Sequence, residues 1–285
     1  MNTIGLVAND TKPRASAVLA HLRSLARQTP LRLLADPATA ALVEGLEARP
    51  LPDLFDAVDA VMALGGDGTV LKIARELNGR DCPVVGVNIG GLGFLTSVAE
   101  DRLDAALRHL AEDRYRVSAR TVAEVTFCGD GQARTHRALN EILVTGDAAG
   151  RVVTLNLCID GEHVTTYACD GLIVSTPTGS TGHSLSAGGP ILMPETRVFV
   201  ISGICPHTLS TRPLVVSDTV EIAVAPAEDD GALRAVVDGQ IVLDLESSDA
   251  LAIRKAEGHV RLLHLPDYSG YAVLRQKLNW RGSTV

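Results

Sequence analysis

Aromatic side chains are scarce in this 285-residue chain: four Phe, four Tyr and one Trp amount to 3% of it. A chain so poor in stacking surface lacks the platform on which single-stranded nucleic acids are held. Lysine is rarer still beside arginine, 4 against 22, and the 26 basic residues are scattered through a chain of net charge -8. That distribution argues against nucleic acid as a partner. The five cysteines (Cys82, Cys128, Cys158, Cys169, Cys205) are odd in number, widely spaced and without a Cys-x-x-Cys pair. Neither a disulfide framework nor a zinc site is indicated, and the thiols read as small apolar residues. No stretch reaches the roughly 18 uninterrupted apolar residues of a membrane span, and the first residues form neither a basic region nor an apolar signal core. The expectation is a cytoplasmic protein with no membrane partner.

What is present is enough apolar residue, 46%, to build sizeable cores in about two domains. Residues 4–8, 31–34, 58–64 and 83–87 are apolar runs suited to buried parallel strands. Residues 13–27, 39–48, 69–77 and 102–110 suit helices between them. This alternation predicts a doubly wound, Rossmann-like α/β domain. From about residue 117 the rhythm changes to short runs at near-regular spacing: 122–127, 137–144, 152–159, 172–175, 198–201, 220–224, 234–237, 251–254 and 260–265. Turn clusters such as Gly129-Asp130-Gly131 and Asp160-Gly161 separate them, which predicts a β-rich, sandwich-like domain with one helical insert at 179–187.

Directly after the run 58–64 stand Gly65-Gly66-Asp67-Gly68-Thr69. Glycine lets a backbone approach a ligand closely, and the first N–H groups of a following helix attract anions. A phosphate cradle gains nothing from an anion in its middle unless that anion holds a metal, accepts a proton, or both. An ordinary strand-to-helix turn is the alternative, because Gly-Gly-Asp-Gly also makes good turns. The second polar cluster runs from Asp170-Gly171 through Thr176-Pro177-Thr178-Gly179-Ser180-Thr181 to Ser186. Its density of hydroxyls after a buried strand suits a ligand rich in hydroxyl and phosphate groups. Asn140-Glu141 is an unusual polar pair inside a run that otherwise reads as a strand.

Taken together, these motifs resemble those of the NAD kinase family: Gly65 to Thr69, Asn140-Glu141, and Asp170-Gly171 with Thr176 to Thr181. Further matches are Asn88-x-Gly90-x-Leu92-Gly93-Phe94-Leu95, Ile204-Cys205-Pro206-His207, Asp238-Gly239-Gln240 and Lys277-Leu278-Asn279-Trp280. The resemblance implies an N-terminal α/β domain (1–117), a C-terminal β-rich NAD-binding domain (118–268), a terminal segment (269–285) that returns to the first domain, and an active site in the cleft between domains. It implies transfer of the γ-phosphoryl group of ATP, or of polyphosphate, to the 2′-hydroxyl of the adenosine ribose of NAD, giving NADP. It also implies Mg²⁺ held through the donor's phosphates with no dedicated protein site, NAD(H) and NADP(H) as ligands, and a homodimer or homotetramer.

Residue by residue, the resemblance makes Asp67 the base. Gly65, Gly66, Gly68 and the N–H of Thr69 would hold phosphate oxygens. Asn140 and Glu141 would take the adenosine ribose and the adenine edge, Asp170 the nicotinamide side, and Thr181 and Ser186 further dinucleotide contacts. The chain departs from the family at Gly182-His183, where Ala-Tyr is usual. An imidazole at His183 would stack beside the adenosine with less area than a phenol and with a charge that depends on pH. Asp238-Gly239 reads as a hairpin turn with no catalytic role assigned. Two other functions remain open: a noncatalytic NAD(P)(H) sensor, and a lipid or sugar kinase sharing the Gly-Gly-Asp-Gly loop.

Overall fold

The structure, a computed structural model, describes residues 1–91, 93–129, 132–146, 152–208, 210–227, 233–245 and 249–280. Leu92 of the Asn88-to-Leu95 motif and the turn residues Asp130 and Gly131 lie outside them. The chain divides into two units, one of Met1–Ala119 with the segment from Val260 onward, the other of Arg120–His259.

In the first unit, β1 (Thr3–Ala8), β2 (Arg32–Ala35), β3 (Glu47–Ala48), β4 (Ala60–Gly65), β5 (Val84–Asn88), β6 (Val98–Ala99) and β7 (Arg116–Arg120) form most of an eight-stranded sheet. Strands β4 and β5 are buried at every position and β1 at all but its first. Covered on both faces, they read as unbroken apolar runs rather than as alternation. Helices α1 (Ala15–Ala26), α2 (Pro37–Ala40), α3 (Leu51–Ala57), α4 (Asp67–Leu77) and α5 (Leu103–Ala111) connect them. Apolar residues three and four apart on α1 (Val18, Leu19, Leu22, Ala26) and on α5 (Leu103, Ala106, Leu107, Leu110) share one core with β1, β4 and β5.

Strand order is β3-β2-β1-β4-β5, all parallel. The connections leave β1 and β4 in opposite directions, so the carboxyl ends of these two strands form the crevice where such sheets bind ligands. The helix predicted over residues 39–48 stops at Ala40. Turn residues follow, with Gly45 at φ 79, and lead into β3.

The second unit contains β8 (Ala123–Gly129), β9 (Gln132–Ala138), β10 (Glu141–Gly146), β11 (Val153–Ile159), β12 (Glu162–Cys169), β13 (Gly171–Ser175), β14 (Val198–Ile204), β15 (Leu214–Ser217), β16 (Ile222–Pro226), β17 (Leu233–Val237), β18 (Ile241–Leu245) and β19 (Ala250–Lys255). They make two antiparallel sheets, β15-β14-β13-β10-β17-β18 and β12-β11-β16-β19-β8-β9. One core is shared by both: Ile142, Leu172, Val174 and Phe199 from the first sheet join Val125, Leu155, Val224 and Ile253 from the second. Burial alternates along β11 and β17, the signature of strands with one covered face. This is the predicted sandwich, with a short α6 (His183–Ser186) as its helical insert. The strand expected at 260–265 forms as β20 (Val260–His264) but pairs in parallel with β5 in the first sheet, and α7 (Gly270–Lys277) follows it in the same unit.

Candidate active site

The glycine loop ends β4, and α4 begins at Asp67, two residues earlier than the sequence pattern indicates. Gly66 is the N-cap, and its carbonyl accepts from the N–H of Thr69 at 3.0 Å. The Thr69 donor is therefore engaged inside the turn, while the N–H groups of Gly66 and Asp67 find no acceptor among the described residues. The Asp67 carboxylate reaches across to the segment after β5. Its Oδ2 accepts from the N–H of Phe94 at 2.8 Å and its Oδ1 from the N–H of Leu95 at 2.9 Å. A carboxylate offers about four lone-pair sites, so each oxygen keeps acceptor capacity while both are fixed in direction. Gly93 makes this approach possible, because a Cβ there would fall inside the van der Waals radius of Asp67 Oδ1. A cation stands nearby: the Lys277 ammonium of α7 lies 5.6 Å from the centre of the Phe94 ring.

In the second unit, Asn140-Glu141 stands at the start of a strand rather than in the middle of one. β9 ends at Ala138 in one sheet and β10 starts at Glu141 in the other, so the pair sits where the chain crosses between sheets. The crossing is held by Asp238, at φ 50 in the turn between β17 and β18. Its Oδ1 accepts from the N–H groups of Asn140 at 2.7 Å and Glu141 at 3.1 Å, and its Oδ2 from that of Leu139 at 2.8 Å. The N–H of Asp238 donates back to the carbonyl of Glu141 at 3.0 Å. Asp238-Gly239 is thus the hairpin turn the sequence suggests, but its carboxylate organises the polar pair about a hundred residues away. The one clue in the sequence was the motif match, which named no role.

Asn140 Oδ1 and Glu141 Oε2 are buried and without partners. Buried polar atoms seldom stay unpaired, so these two oxygens mark a place where a ligand's donors belong. Burial foremost, and the Asp238 charge after it, push the Glu141 carboxyl up to about 7 from its ordinary 4.5. Glu141 therefore holds its proton more tightly folded than unfolded, and its contribution to stability is full below the unfolded value and lost as pH rises through the folded one. Between about pH 4.5 and pH 7 the wild type should lose on the order of 3 kcal/mol relative to Glu141→Gln. Urea unfolding of both ligand-free proteins across that range measures this. A stability difference between them that stays constant with pH contradicts it.

The hydroxyl-rich segment serves mainly its own scaffold. Thr176 Oγ1 donates to Leu139 O at 2.6 Å, Ser175 Oγ to Thr176 O at 2.9 Å, and Ser180 Oγ to Pro177 O at 2.7 Å. That inward bonding anchors the loop against residues 139–140, whereas Thr178 Oγ1 in the same segment is buried without a partner. Gly179 permits the contact, since a Cβ there would overlap the carbonyl of Asn140. Thr181 closes a 3-10 turn and donates to Thr178 O at 3.3 Å.

Gly182, where the family usually has Ala, leaves room beside the polar pair: a Cβ would meet Glu141 Oε2 at 3.5 Å and Asn140 Nδ2 at 3.8 Å. His183 and Ser186, the ends of α6, are exposed. Asp170 is half-buried at the far end of β13. Glu141 stands opposite Ser175 and Thr145 opposite Gly171, which offsets Asp170 from Glu141 along the strands by roughly 17 Å at 3.4 Å per residue. Of the cysteines, Cys82 and Cys169 are buried, Cys158 is half-buried and Cys205 is exposed. Burial pushes the Cys82 and Cys169 thiols up to about 11, so both are inert.

Comparison with known proteins places these features in one family. Residues 46–115 match the model of the ATP-NAD kinase N-terminal domain and residues 139–265 that of the ATP-NAD kinase C-terminal domain. The NAD kinase of Geobacter metallireducens is 38% identical over 283 residues, covering 98% of this chain and 99% of that protein. That of Moorella thermoacetica is 39% identical over 283 residues, covering 99% and 91%. Among solved structures, yeast NADH kinase complexed with NADH shares the fold with a TM-score of 0.91 at 22% identity, over 100% of this chain and 89% of that one. An NAD kinase from Archaeoglobus fulgidus in complex with ATP gives 0.77 at 25% identity, over 98% and 100%. With near-complete coverage at such identity, this chain belongs to the NAD kinase family.

Proposed function

We infer that this chain is an NAD kinase that transfers the γ-phosphoryl group of ATP to the 2′-hydroxyl of the adenosine ribose of NAD. One observation carries the chemistry: a carboxylate, Asp67, aimed by two backbone amides at the start of a helix. A ribose hydroxyl is a weak nucleophile at neutral pH. As its oxygen bonds to the γ-phosphorus and the bond from that phosphorus to the β–γ bridging oxygen breaks, its proton passes to a free lone pair on Asp67, and ADP departs. Phosphoryl transfer otherwise depends on positioning and on charge neutralisation. The Gly66 and Asp67 N–H groups contribute to both, with Gly65 keeping the loop close to Thr69, whose side chain a Cβ there would overlap. Mg²⁺ riding on the donor's phosphates would neutralise their charge, a mode that needs one or two carboxylates at most, and Asp67 keeps a lone pair for it.

Asn140 Oδ1 and Glu141 Oε2 take the adenosine ribose and adenine edge, and Asp170, further along the same sheet, takes the nicotinamide side of an extended dinucleotide. Thr181 and Ser186 add polar contacts, and His183 stacks by the adenosine. Among the described residues no helix is long and apolar enough to cross a membrane. β12, β15 and β18 are sheet-edge strands with exposed valines, Val164, Val215 and Val242. Uncovered edges of this kind favour self-association, in support of a homodimer or homotetramer. The test is NADP formation by the purified chain from NAD and Mg·ATP, repeated with polyphosphate as donor, NADH as acceptor, and a chelator. Turnover with NAD and ATP that the chelator abolishes is expected. Tight NAD binding without turnover on any donor would instead identify a sensor.

A further inference from the structure

Beside Asp67 stands a hydroxyl that neither the fold nor the reaction described above uses. Thr96 is 1% exposed, and its Oγ1 is buried with no hydrogen-bond partner among the described residues. Buried hydroxyls are seldom left so, and an orphan next to a reacting group points to a use in the reaction or to a bound water. Gly93 sets its relation to the carboxylate. A Cβ on Gly93 would overlap Asp67 Oδ1 and stand 2.7 Å from Thr96 Oγ1. The two oxygens therefore flank the same space, the one a side chain at 93 would fill.

The backbone that carries Thr96 is held on both sides. The N–H of Ser97 donates to Gly86 O on β5 at 3.0 Å, Ser97 Oγ donates to Leu263 O on β20 at 3.2 Å, and Val98 and Ala99 continue as β6. Gly86 allows this close seating, because a Cβ there would stand 2.7 Å from Leu95 O and 2.9 Å from Thr96 Cα. Thr96 thus follows directly on the two residues, Phe94 and Leu95, whose amides aim Asp67. All of these residues lie in the first unit. With both backbones fixed, a small side-chain rotation brings the hydroxyl onto the carboxylate.

We propose that Thr96 is a positioning residue for Asp67: in the reacting enzyme its hydroxyl donates to Oδ1 beside the Leu95 amide and leaves Oδ2 the less encumbered oxygen to take the ribose proton. The proposal rests on the kinase reading. Two amides, one on each oxygen, leave the two oxygens equivalent. A third donor makes them unequal, so the ribose hydroxyl meets one of them. Hydrogen bonds to a charged acceptor are among the stronger ones, and misplacement of a reacting group is costly in rate. The test is steady-state NADP formation from NAD and Mg·ATP, with Tm, for wild type, Thr96→Val, Thr96→Ser, Asp67→Asn and the double variant of Thr96→Val with Asp67→Asn. Valine keeps the branched shape and removes the hydroxyl, whereas serine keeps the hydroxyl.

Thr96→Val should lower kcat about 10- to 100-fold and leave KM for NAD and for ATP within about twofold. Its Tm should be no lower than that of wild type, since the hydroxyl removed has no partner in the free enzyme. Thr96→Ser should keep kcat within about threefold of wild type. On the Asp67→Asn background the valine should change kcat by less than about threefold, because the group it positions has lost its function. Four results would overturn the role of Thr96 while NADP formation by wild type leaves the kinase reading intact. They are a wild-type kcat in Thr96→Val, an equal loss on both backgrounds, a serine variant no better than the valine one, or a lower Tm with kcat unchanged, the mark of a hydroxyl that only holds a bound water. A wild type that forms no NADP removes both.

Discussion

Asp67→Asn should lower kcat for NADP formation by about 10²- to 10⁴-fold, the range for removing a positioned general base, and leave NAD affinity within about twofold. The asparagine is nearly isosteric, so the helix start and the glycine loop are retained. What changes is that one carboxylate oxygen becomes an NH₂ group. It can no longer take a proton, and it faces an N–H of Phe94 or Leu95, each of which now donates to Asp67 at 2.8 and 2.9 Å. The lost bond removes orientation as well as basicity. Separating the two uses Gly93→Ala, which keeps the carboxylate but forces it off its amides, because a Cβ at 93 overlaps Oδ1. If Asp67→Asn turned over at the wild-type rate, the assignment of Asp67 as base would be lost.

Asp238→Ala should be the most damaging substitution outside the glycine loop, costing about 3 kcal/mol or more in stability and raising KM for NAD at least about tenfold. Three backbone N–H groups, of Leu139, Asn140 and Glu141, lose their acceptor at once. Leaving a buried donor unsatisfied costs about 1–3 kcal/mol each, and relaxation or entering water recovers part of it. Asp238→Asn should fall between, since asparagine tolerates the left-handed φ of 50 and keeps one acceptor oxygen. Urea unfolding and NAD titration of the series Asp, Asn, Ala measure the order. An alanine variant within about 0.5 kcal/mol of wild type would show that the carboxylate is not what holds the crossing.

Legibility in the sequence followed how local the physics was. β1, β4 and β5 were readable because strands covered on both faces are unbroken apolar runs, and β11 and β17 because one-sided burial alternates. β12 was missed: its first four residues, Glu162 to Thr165, are exposed or half-exposed, so hydropathy does not mark it. β18, Ile-Val-Leu-Asp-Leu at a sheet edge, was missed although four of its five residues are apolar. β20 was readable as a strand, but its parallel pairing with β5 is a long-range choice that no local pattern encodes.

At the site, three glycines around an acid made Asp67 visible, whereas its amide partners at Phe94 and Leu95 lie 27 and 28 residues on. Asp238 was visible only as a turn. The turn reading was right about its backbone and silent about its carboxylate. The inward bonding of Ser175, Thr176 and Ser180 was not legible, because a hydroxyl that anchors a loop and one that binds a ligand look alike in sequence.

The most direct measurement is where the phosphate goes. Wild type and Asp67→Asn are incubated with NAD and γ-³²P-labelled Mg·ATP, and the labelled product is separated and its phosphorylated position assigned by ³¹P and proton NMR. Label on the adenosine 2′-oxygen with wild type, reduced at least about a hundredfold with Asp67→Asn, is the expected result. Label only as inorganic phosphate, label at another hydroxyl, or equal rates in the two proteins would contradict the assignment of this chain and of Asp67.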